Sequence, residues 1–90
     1  MSRKEKVTKM IDGDTFETAS RKNPVRLANV NAPEKGQPGS AKATEALRKM
    51  IQGEGVRVET VSRDKYGRAV AYVYKGRESI NKKMQKKLKR

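Results

Sequence analysis

Residues 6–19 have the sequence KVTKMIDGDTFETA, in which two segments with apolar and β-branched side chains flank an Asp-Gly pair. Partial alternation of apolar and polar residues predicts strands over Lys6–Ile11 and Thr15–Ala19, joined by a tight turn. A third strand is predicted over Pro24–Val30, after a short polar link. The first third of the chain is therefore expected to form a three-stranded meander.

The middle of the chain combines one helix with two further strands. A loop rich in proline and glycine spans Asn31–Gly39. A helix is predicted over Ser40–Gln52 from apolar residues at helical spacing, with Ser40 as the N-cap. Strands are predicted over Val56–Val61 and Ala69–Tyr74, on either side of a turn.

The end of the chain predicts a second, basic helix. Asn81 is a candidate N-cap, and a thin apolar stripe with four-residue spacing suggests a helix that docks weakly. The stripe consists of Ile80, Met84 and Leu88. Residues 82–90 form a lysine-rich helix or tail.

The order βββ-α-ββ-α predicts the fold class. It is expected to be mainly β (α+β), a five-stranded OB-fold Greek-key barrel with a helix between strands 3 and 4 and a C-terminal helix. An SH3-like barrel is the competitor, but it normally lacks a helix of this length at that position. Residues 1–90 are expected to form a single domain.

The composition favours a polyanionic partner. The chain has 23 Lys and Arg against 10 Asp and Glu, a formal net charge of +13. DNA or RNA is the first candidate, because lysine and arginine displace condensed counterions from a phosphate backbone. An anionic membrane surface would attract the same charge, and charge alone does not separate the two.

Two missing residue types limit the possible chemistry. The sequence contains neither cysteine nor histidine, which excludes disulfides, thiolate catalysis and imidazole bases. A general base would then be a carboxylate, a lysine, a tyrosine or water. Any metal would have oxygen ligands, which favours Ca²⁺ or Mg²⁺.

Four residues together supply what phosphodiester hydrolysis requires. Arg26 and Arg68 suit phosphate binding, because a guanidinium grips two oxygens at once and stabilises charge that develops during attack. Glu34, which follows a proline, is the candidate general base. Asp14 is the best anionic metal ligand, and Asn31 and backbone carbonyls could complete the coordination shell. Taken singly, each of these residues is better explained as an ordinary turn, loop or exposed strand residue.

Three motifs resemble the thermonuclease, or staphylococcal-nuclease-like, family, whose pattern runs I-D-G-D-T, R-L-x-x-[VI]-D-[TA]-P-E and D-[KR]-Y-G-R. This chain has IDGDT at 11–15, RLANVNAPE at 26–34 and DKYGR at 64–68. The order and separations are similar, and the resemblance covers roughly residues 7 to 82. It implies an OB barrel and Ca²⁺-dependent hydrolysis of DNA and RNA that leaves 3′-phosphates.

The resemblance also implies individual roles. Asp14 would be a calcium ligand, Arg26 and Arg68 phosphate clamps, and Glu34 the general base. Two further residues match family positions near the terminal phosphate of a bound nucleotide, namely Lys65 and Tyr66.

The chain departs from the family pattern in two ways. Asn31 stands where the family usually has a second calcium-binding aspartate, which predicts weaker metal binding. Next to Asn31, Ala32 would contribute only its backbone carbonyl to the calcium site. The sequence ends at Arg90, so the chain is expected to be a short form that lacks the family's C-terminal segment.

Two other functions are compatible with the sequence. A catalytically weak or inactive OB-fold module that binds single-stranded nucleic acid is the first alternative. A small structural component of a ribonucleoprotein or nucleoid is the second. A monomer without a membrane partner is expected. It would be cytoplasmic as written, since no signal peptide is recognised, or secreted if this is a mature or trimmed form.

Overall fold

A computed structural model describes residues 4–88 of the chain. The elements follow in the order β1 (Lys4–Asp12), β2 (Thr15–Thr18), β3 (Val25–Leu27), α1 (Ser40–Ile51), β4 (Gly55–Arg63), β5 (Ala69–Lys75), β6 (Glu78–Ser79) and α2 (Ile80–Leu88). The predicted order is confirmed. The sequence analysis missed β6, a two-residue strand that pairs with the end of β5.

The strands form one sheet that closes on itself. They lie side by side in the order β3-β2-β1-β4-β5-β6, and β3 also pairs with β5. This last pairing is parallel, with Arg26 opposite Val70, whereas the other pairings are antiparallel. The first five strands therefore make a ring with two helices, which agrees with the predicted mainly-β, OB-type α+β fold.

The core lies inside this ring and under the helices. Phe16, Val25 and Leu27 are fully buried on the inner face of the sheet. Helix α1 contributes Leu47 and Ile51 from one face, as its apolar spacing predicts. The alternation along the strands leaves the intervening side chains on the outer face.

Helix α2 docks more firmly than its thin apolar stripe predicts. Ile80 and Met84 are fully buried in the core cluster, and Leu88 packs against that cluster from a partly buried position. Of the predicted basic tail, Lys82–Leu88 belongs to α2, and the last two residues lie outside the described part. Within residues 4–88, neither helix is long and apolar enough to cross a bilayer.

Both predicted helix caps are wrong. Gly39 precedes α1 with a left-handed φ of 86°, and Ser40 is the first helical residue, buried and without a capping hydrogen bond. At α2, the Lys82 N–H donates to the Ser79 hydroxyl over 3.2 Å, so Ser79 caps this helix. Asn81 is instead buried inside the molecule.

Asn81 links α2 to the sheet and to the segment after β3. Its Oδ1 accepts from the Val73 N–H (2.7 Å), while its Nδ2 donates to the carbonyls of Ala28 (2.9 Å) and Ala71 (3.0 Å). A buried amide whose donor and acceptor are both used fixes the position of the helix relative to the strands.

Candidate active site

The hairpin between β1 and β2 is packed tightly against two other elements. A Cβ on Gly13 would lie 2.6 Å from the Ala43 Cβ and 2.8 Å from the Ala32 Cβ. These distances are below the approach that real Cβ atoms show, so the position requires glycine because of space. The sequence predicts only a tight turn here, whereas the structure shows a close approach that places Asp14 beside the loop carrying Ala32.

Asp14 is buried at this junction, with its side chain 8% exposed. Its Oδ1 accepts from the Thr15 hydroxyl over 2.8 Å, and its Oδ2 accepts from the Ala32 N–H over 3.0 Å. The Asp14 carboxylate therefore ties the hairpin to the loop. Arg26 approaches the same Oδ2 at 3.5 Å.

Arg26 projects from β3 between two core residues. Val25 and Leu27 are fully buried, so the alternation along the strand turns Arg26 toward the outer face. Its Nη2 donates to Asn31 Oδ1 over 3.0 Å as well as facing Asp14. One guanidinium nitrogen thus lies between the two side chains predicted to be metal ligands.

The loop after β3 carries Asn31, Ala32 and Glu34. Glu34 is exposed, and its side chain makes no hydrogen bond or ion pair with the residues that the structure describes. Its carbonyl accepts from the Gln37 N–H over 2.9 Å, which closes a turn. The structure brings Asp14, Arg26 and Asn31 into contact, but it does not bring the Glu34 carboxylate into that contact network.

Arg68 precedes β5 directly and lies near β3. Val70 is the register partner of Arg26, and Arg68 shares its parity, so both arginines belong to the outer face of this parallel pair. The Arg68 Nε donates to Asp64 Oδ2 over 2.6 Å. The terminal nitrogens make no hydrogen bond with the described residues.

Asp64 organises the turn that holds Arg68. Its Oδ1 accepts from the N–H groups of Tyr66 (3.0 Å) and Arg68 (2.9 Å). Partial burial opposes ionisation of this carboxyl, but the hydrogen bonds from Arg68 and Tyr66 outweigh that effect and lower the pKa of Asp64. Asp64 therefore stays ionised and positions the guanidinium.

Tyr66 is the aromatic residue of this turn, and it is 70% exposed. The Lys65 ammonium and the Arg68 guanidinium each lie 5.3 Å from the centre of its ring. The structure therefore groups Lys65, Tyr66 and Arg68, three of the residues singled out in the sequence, on one exposed turn.

Asp12 adds a second carboxylate to the hairpin. Its Oδ1 accepts from the Asp14 N–H over 3.0 Å. Burial, followed by the hydrogen bond and charge of the neighbouring Asp14 carboxyl, raises the pKa of Asp12. Asp12 therefore fixes the backbone of the hairpin at Asp14.

The donor atoms at this point suit a hard cation. They are the Asp14 carboxylate and the Asn31 amide oxygen, which both contact Arg26 Nη2. Within residues 4–88, no three residues of the types His, Cys, Asp and Glu form a group able to hold a metal. The site would therefore depend on few carboxylates, assisted by neutral oxygens.

Sequence reasoning missed three residues that organise this site. Asp12 was assigned to the turn alone, and neither Thr15 nor Asp64 was given a role, although all three lie inside the quoted motifs. The sequence feature that could have identified them is a short polar side chain one or two residues from a predicted functional residue. Such side chains commonly bond to nearby backbone and side-chain groups.

Comparisons with known proteins find relatives that are described as nucleases. The family model described as Staphylococcal nuclease homologue matches residues 24–87. An uncharacterized endonuclease of Haemophilus influenzae is 36% identical over 84 residues, covering 90% of this chain and 47% of that protein. A thermonuclease of Staphylococcus hyicus is 31% identical over 91 residues, covering 90% of this chain and 54% of that protein.

A plant relative shows the same similarity over a smaller share of its length. A probable staphylococcal-like nuclease of Oryza sativa is 37% identical over 71 residues, covering 79% of this chain and 22% of that protein. The chain spans about half the length of the two bacterial relatives named above. The matched residues include β3 with Arg26, the loop with Glu34 and the turn with Arg68. The chain belongs to the family of staphylococcal nuclease homologues.

Proposed function

We propose that this chain is a nuclease that hydrolyses phosphodiester bonds of DNA or RNA with the help of Ca²⁺. The observation that carries the proposal is the position of Arg26, whose Nη2 lies 3.0 Å from Asn31 Oδ1 and 3.5 Å from Asp14 Oδ2. A phosphate clamp thereby borders a set of oxygen donors. Family membership supports the same chemistry.

Asp14, Asn31 and the Ala32 carbonyl are the proposed calcium-binding groups. When bound, Ca²⁺ would supply positive charge to a phosphoryl oxygen and help to orient the attacking water. Both Asp14 Oδ2 and Asn31 Oδ1 would have to exchange their contacts with Arg26 Nη2 for the cation, which would leave that nitrogen available to the substrate.

Arg26 and Arg68 are the proposed phosphate clamps. Negative charge grows on the equatorial oxygens of phosphorus during attack, so fixed guanidinium groups stabilise the transition state more than the ground state. Asp64 holds Arg68 through Nε, which leaves the terminal nitrogens free for oxygens. Lys65 and Tyr66, on the same turn, are the proposed contacts for a neighbouring phosphate.

Glu34 is the proposed general base. Its carboxylate would accept a proton from the attacking water while the water oxygen bonds to phosphorus and the leaving oxygen departs. The side chain is exposed and makes no hydrogen bond or ion pair with the described residues, so it is available to a water molecule.

A nuclease assay tests the proposal directly. Single-stranded DNA and RNA oligonucleotides are incubated with the protein in Ca²⁺ or in EDTA, and the products are separated by length. We expect cleavage in Ca²⁺, products with 3′-phosphate ends, and intact strands in EDTA. Equal cleavage in both conditions would refute the calcium requirement, and no cleavage in either would refute the enzyme.

A binding module without catalysis is the second candidate. The observation in its favour is the scarcity of carboxylates around Asp14 in the described part of the chain, together with the neutral Asn31. This candidate predicts that oligonucleotides bind tightly and remain intact at every calcium concentration.

A further inference from the structure

An open groove of about 940 Å³ starts at the candidate active site. Its lining includes Asn31 and Ala32, which also belong to the proposed calcium site. The other lining residues come from the loop that precedes α1, from α1 and from the last residues of α2. The groove is therefore continuous with the place where a scissile phosphate would lie.

The rim of this groove is basic. Lys42 and Lys49 line it from α1, and Lys87 lines it from α2. No ion pair of the described residues involves these three lysines, and the one carboxylate in the lining, that of Glu45, is paired with Arg48. The groove thus has a net positive charge that the protein itself does not neutralise.

The spacing of the two α1 lysines suits a phosphate backbone. Lys42 and Lys49 are separated by seven positions, two turns of helix, so they lie on one side of α1. A rise of 1.5 Å per residue places them about 10 Å apart along the axis. Two cations on the same side of one helix can therefore contact separate phosphates of a single strand.

The floor of the groove is apolar and contains no aromatic ring. Pro33, Ala46 and Leu88 are among its lining residues, and none of the lining residues that the structure describes is aromatic. Bases cannot stack there as they do on aromatic side chains. The surface fits sugar and phosphate groups and would be insensitive to base sequence.

We infer that this lysine groove binds the continuation of the single nucleic-acid strand whose phosphodiester lies at the active site. The inference rests on the proposed function, because it extends the same strand beyond the cleavage point. It assigns α1 and the end of α2 to substrate binding, a role separate from the chemistry of Arg26, Glu34 and Arg68.

The test compares two triple variants of equal charge in EDTA, where strands remain intact. K42Q/K49Q/K87Q removes the groove lysines. K4Q/K6Q/K9Q removes three exposed lysines of β1 that lie outside the groove. Binding of labelled oligo-dT of about 12 nucleotides and of about two nucleotides is measured by fluorescence anisotropy across salt concentrations.

The groove variant is expected to bind the longer strand roughly 10- to 100-fold more weakly, with the slope of log affinity against log salt reduced by about 2. The β1 variant should lose less than half of that slope, and the dinucleotide should bind both variants almost equally. Equal losses in the two variants would overturn the inference. So would a concentration-dependent dimer in sedimentation that only the groove variant abolishes, since a second copy would then occupy the groove.

The same variants separate this inference from the proposed function. Cleavage of a very short substrate in Ca²⁺ should be unchanged in K42Q/K49Q/K87Q, because that substrate does not reach the groove. Cleavage with an unchanged salt slope in that variant would reject the groove and keep the nuclease. A reduced slope without any cleavage by the wild type would reject the nuclease and keep a strand-binding groove.

Discussion

Arg26 makes contacts that depend on the shape of its guanidinium. Its guanidinium reaches Asn31, Asp14 and the Leu27 carbonyl, which lies 3.1 Å from Nη1. A lysine would keep the charge but lose the fork that grips two oxygens. We expect Arg26→Lys to lower the single-turnover cleavage rate roughly a hundredfold, as for the loss of one transition-state donor.

The matched control for this substitution is Arg77→Lys, at an exposed position that joins no ion pair of the described residues. Oligonucleotide affinity in EDTA should change little in both variants. Equal cleavage rates in the two variants would show that Arg26 is not a phosphate clamp.

Asn31 limits the negative charge at the proposed calcium site. Asn31→Asp adds one negative charge with almost no change in shape. Calcium affinity rises with the charge of the ligands, so the half-saturating calcium for cleavage should fall several-fold. A calcium titration of cleavage measures this shift.

Asn29→Asp is the matched control, because it adds the same charge nearby on a residue that instead bonds to the Tyr72 hydroxyl. If both variants shift the calcium requirement equally, the shift comes from the added negative charge in this region and not from metal binding by residue 31. If Asn31→Asp leaves the requirement unchanged, Asn31 does not bind the metal.

The site residues differ in how far the sequence determines them. Arg26 could be placed on the outer face, because the flanking Val25 and Leu27 mark the strand parity. The reason for Gly13 could not be predicted, because its constraint comes from Ala32 and Ala43, which are distant in the chain. Contacts between residues that are distant in the chain produce no pattern in the local sequence.

Helix α2 is positioned by a buried amide. Asn81→Leu keeps most of the volume but leaves the Val73 N–H and the carbonyls of Ala28 and Ala71 without their partner. Unsatisfied buried backbone groups are costly, so we expect a loss of roughly 3 kcal/mol in the free energy of unfolding. Urea unfolding measures it, with the exposed neighbouring Lys82→Ala as control. A loss below about 1 kcal/mol would mean that the bonds around Asn81 are dispensable.

Element types were predictable where periodicity was strong, and their ends were not. Strand alternation and the spacing in α1 gave the order of elements. The caps failed because Ser40 and Asn81 are both good capping residues, whereas the fold buries them and uses Gly39 and Ser79. Burial of a short polar side chain is decided by tertiary contacts, and capping preference is only local.

Acid should destabilise the whole molecule. The Glu5 carboxylate accepts from the Arg21 Nε (2.7 Å), and this hydrogen bond lowers the pKa of Glu5 despite partial burial. A carboxyl with a lowered folded pKa stabilises the fold above its unfolded pKa, and that contribution is lost as pH falls through the folded value. The pKa of Asp12 is raised, so its contribution has the opposite sign.

The Glu5→Gln variant isolates the first effect. We expect the melting temperature of the wild type to fall on acidification from pH 7 to below the ordinary glutamate pKa of about 4.3, and the fall to be smaller in Glu5→Gln. Thermal unfolding followed by circular dichroism provides the measurement. An identical pH dependence of the melting temperature in both proteins would show that Glu5 does not contribute to the destabilisation by acid.

The net charge of +13 draws polyanions to the molecule with or without catalysis, so binding alone does not identify an enzyme. The most direct test is the cleavage rate of Glu34→Gln in saturating Ca²⁺, measured beside its oligonucleotide affinity in EDTA and beside an exposed-carboxylate control, Glu59→Gln. We expect Glu34→Gln to lose most of the cleavage rate and to keep its affinity, because a general base acts in the transition state while binding depends on arginines and lysines. Full cleavage by Glu34→Gln would contradict the proposed role of Glu34 as the general base.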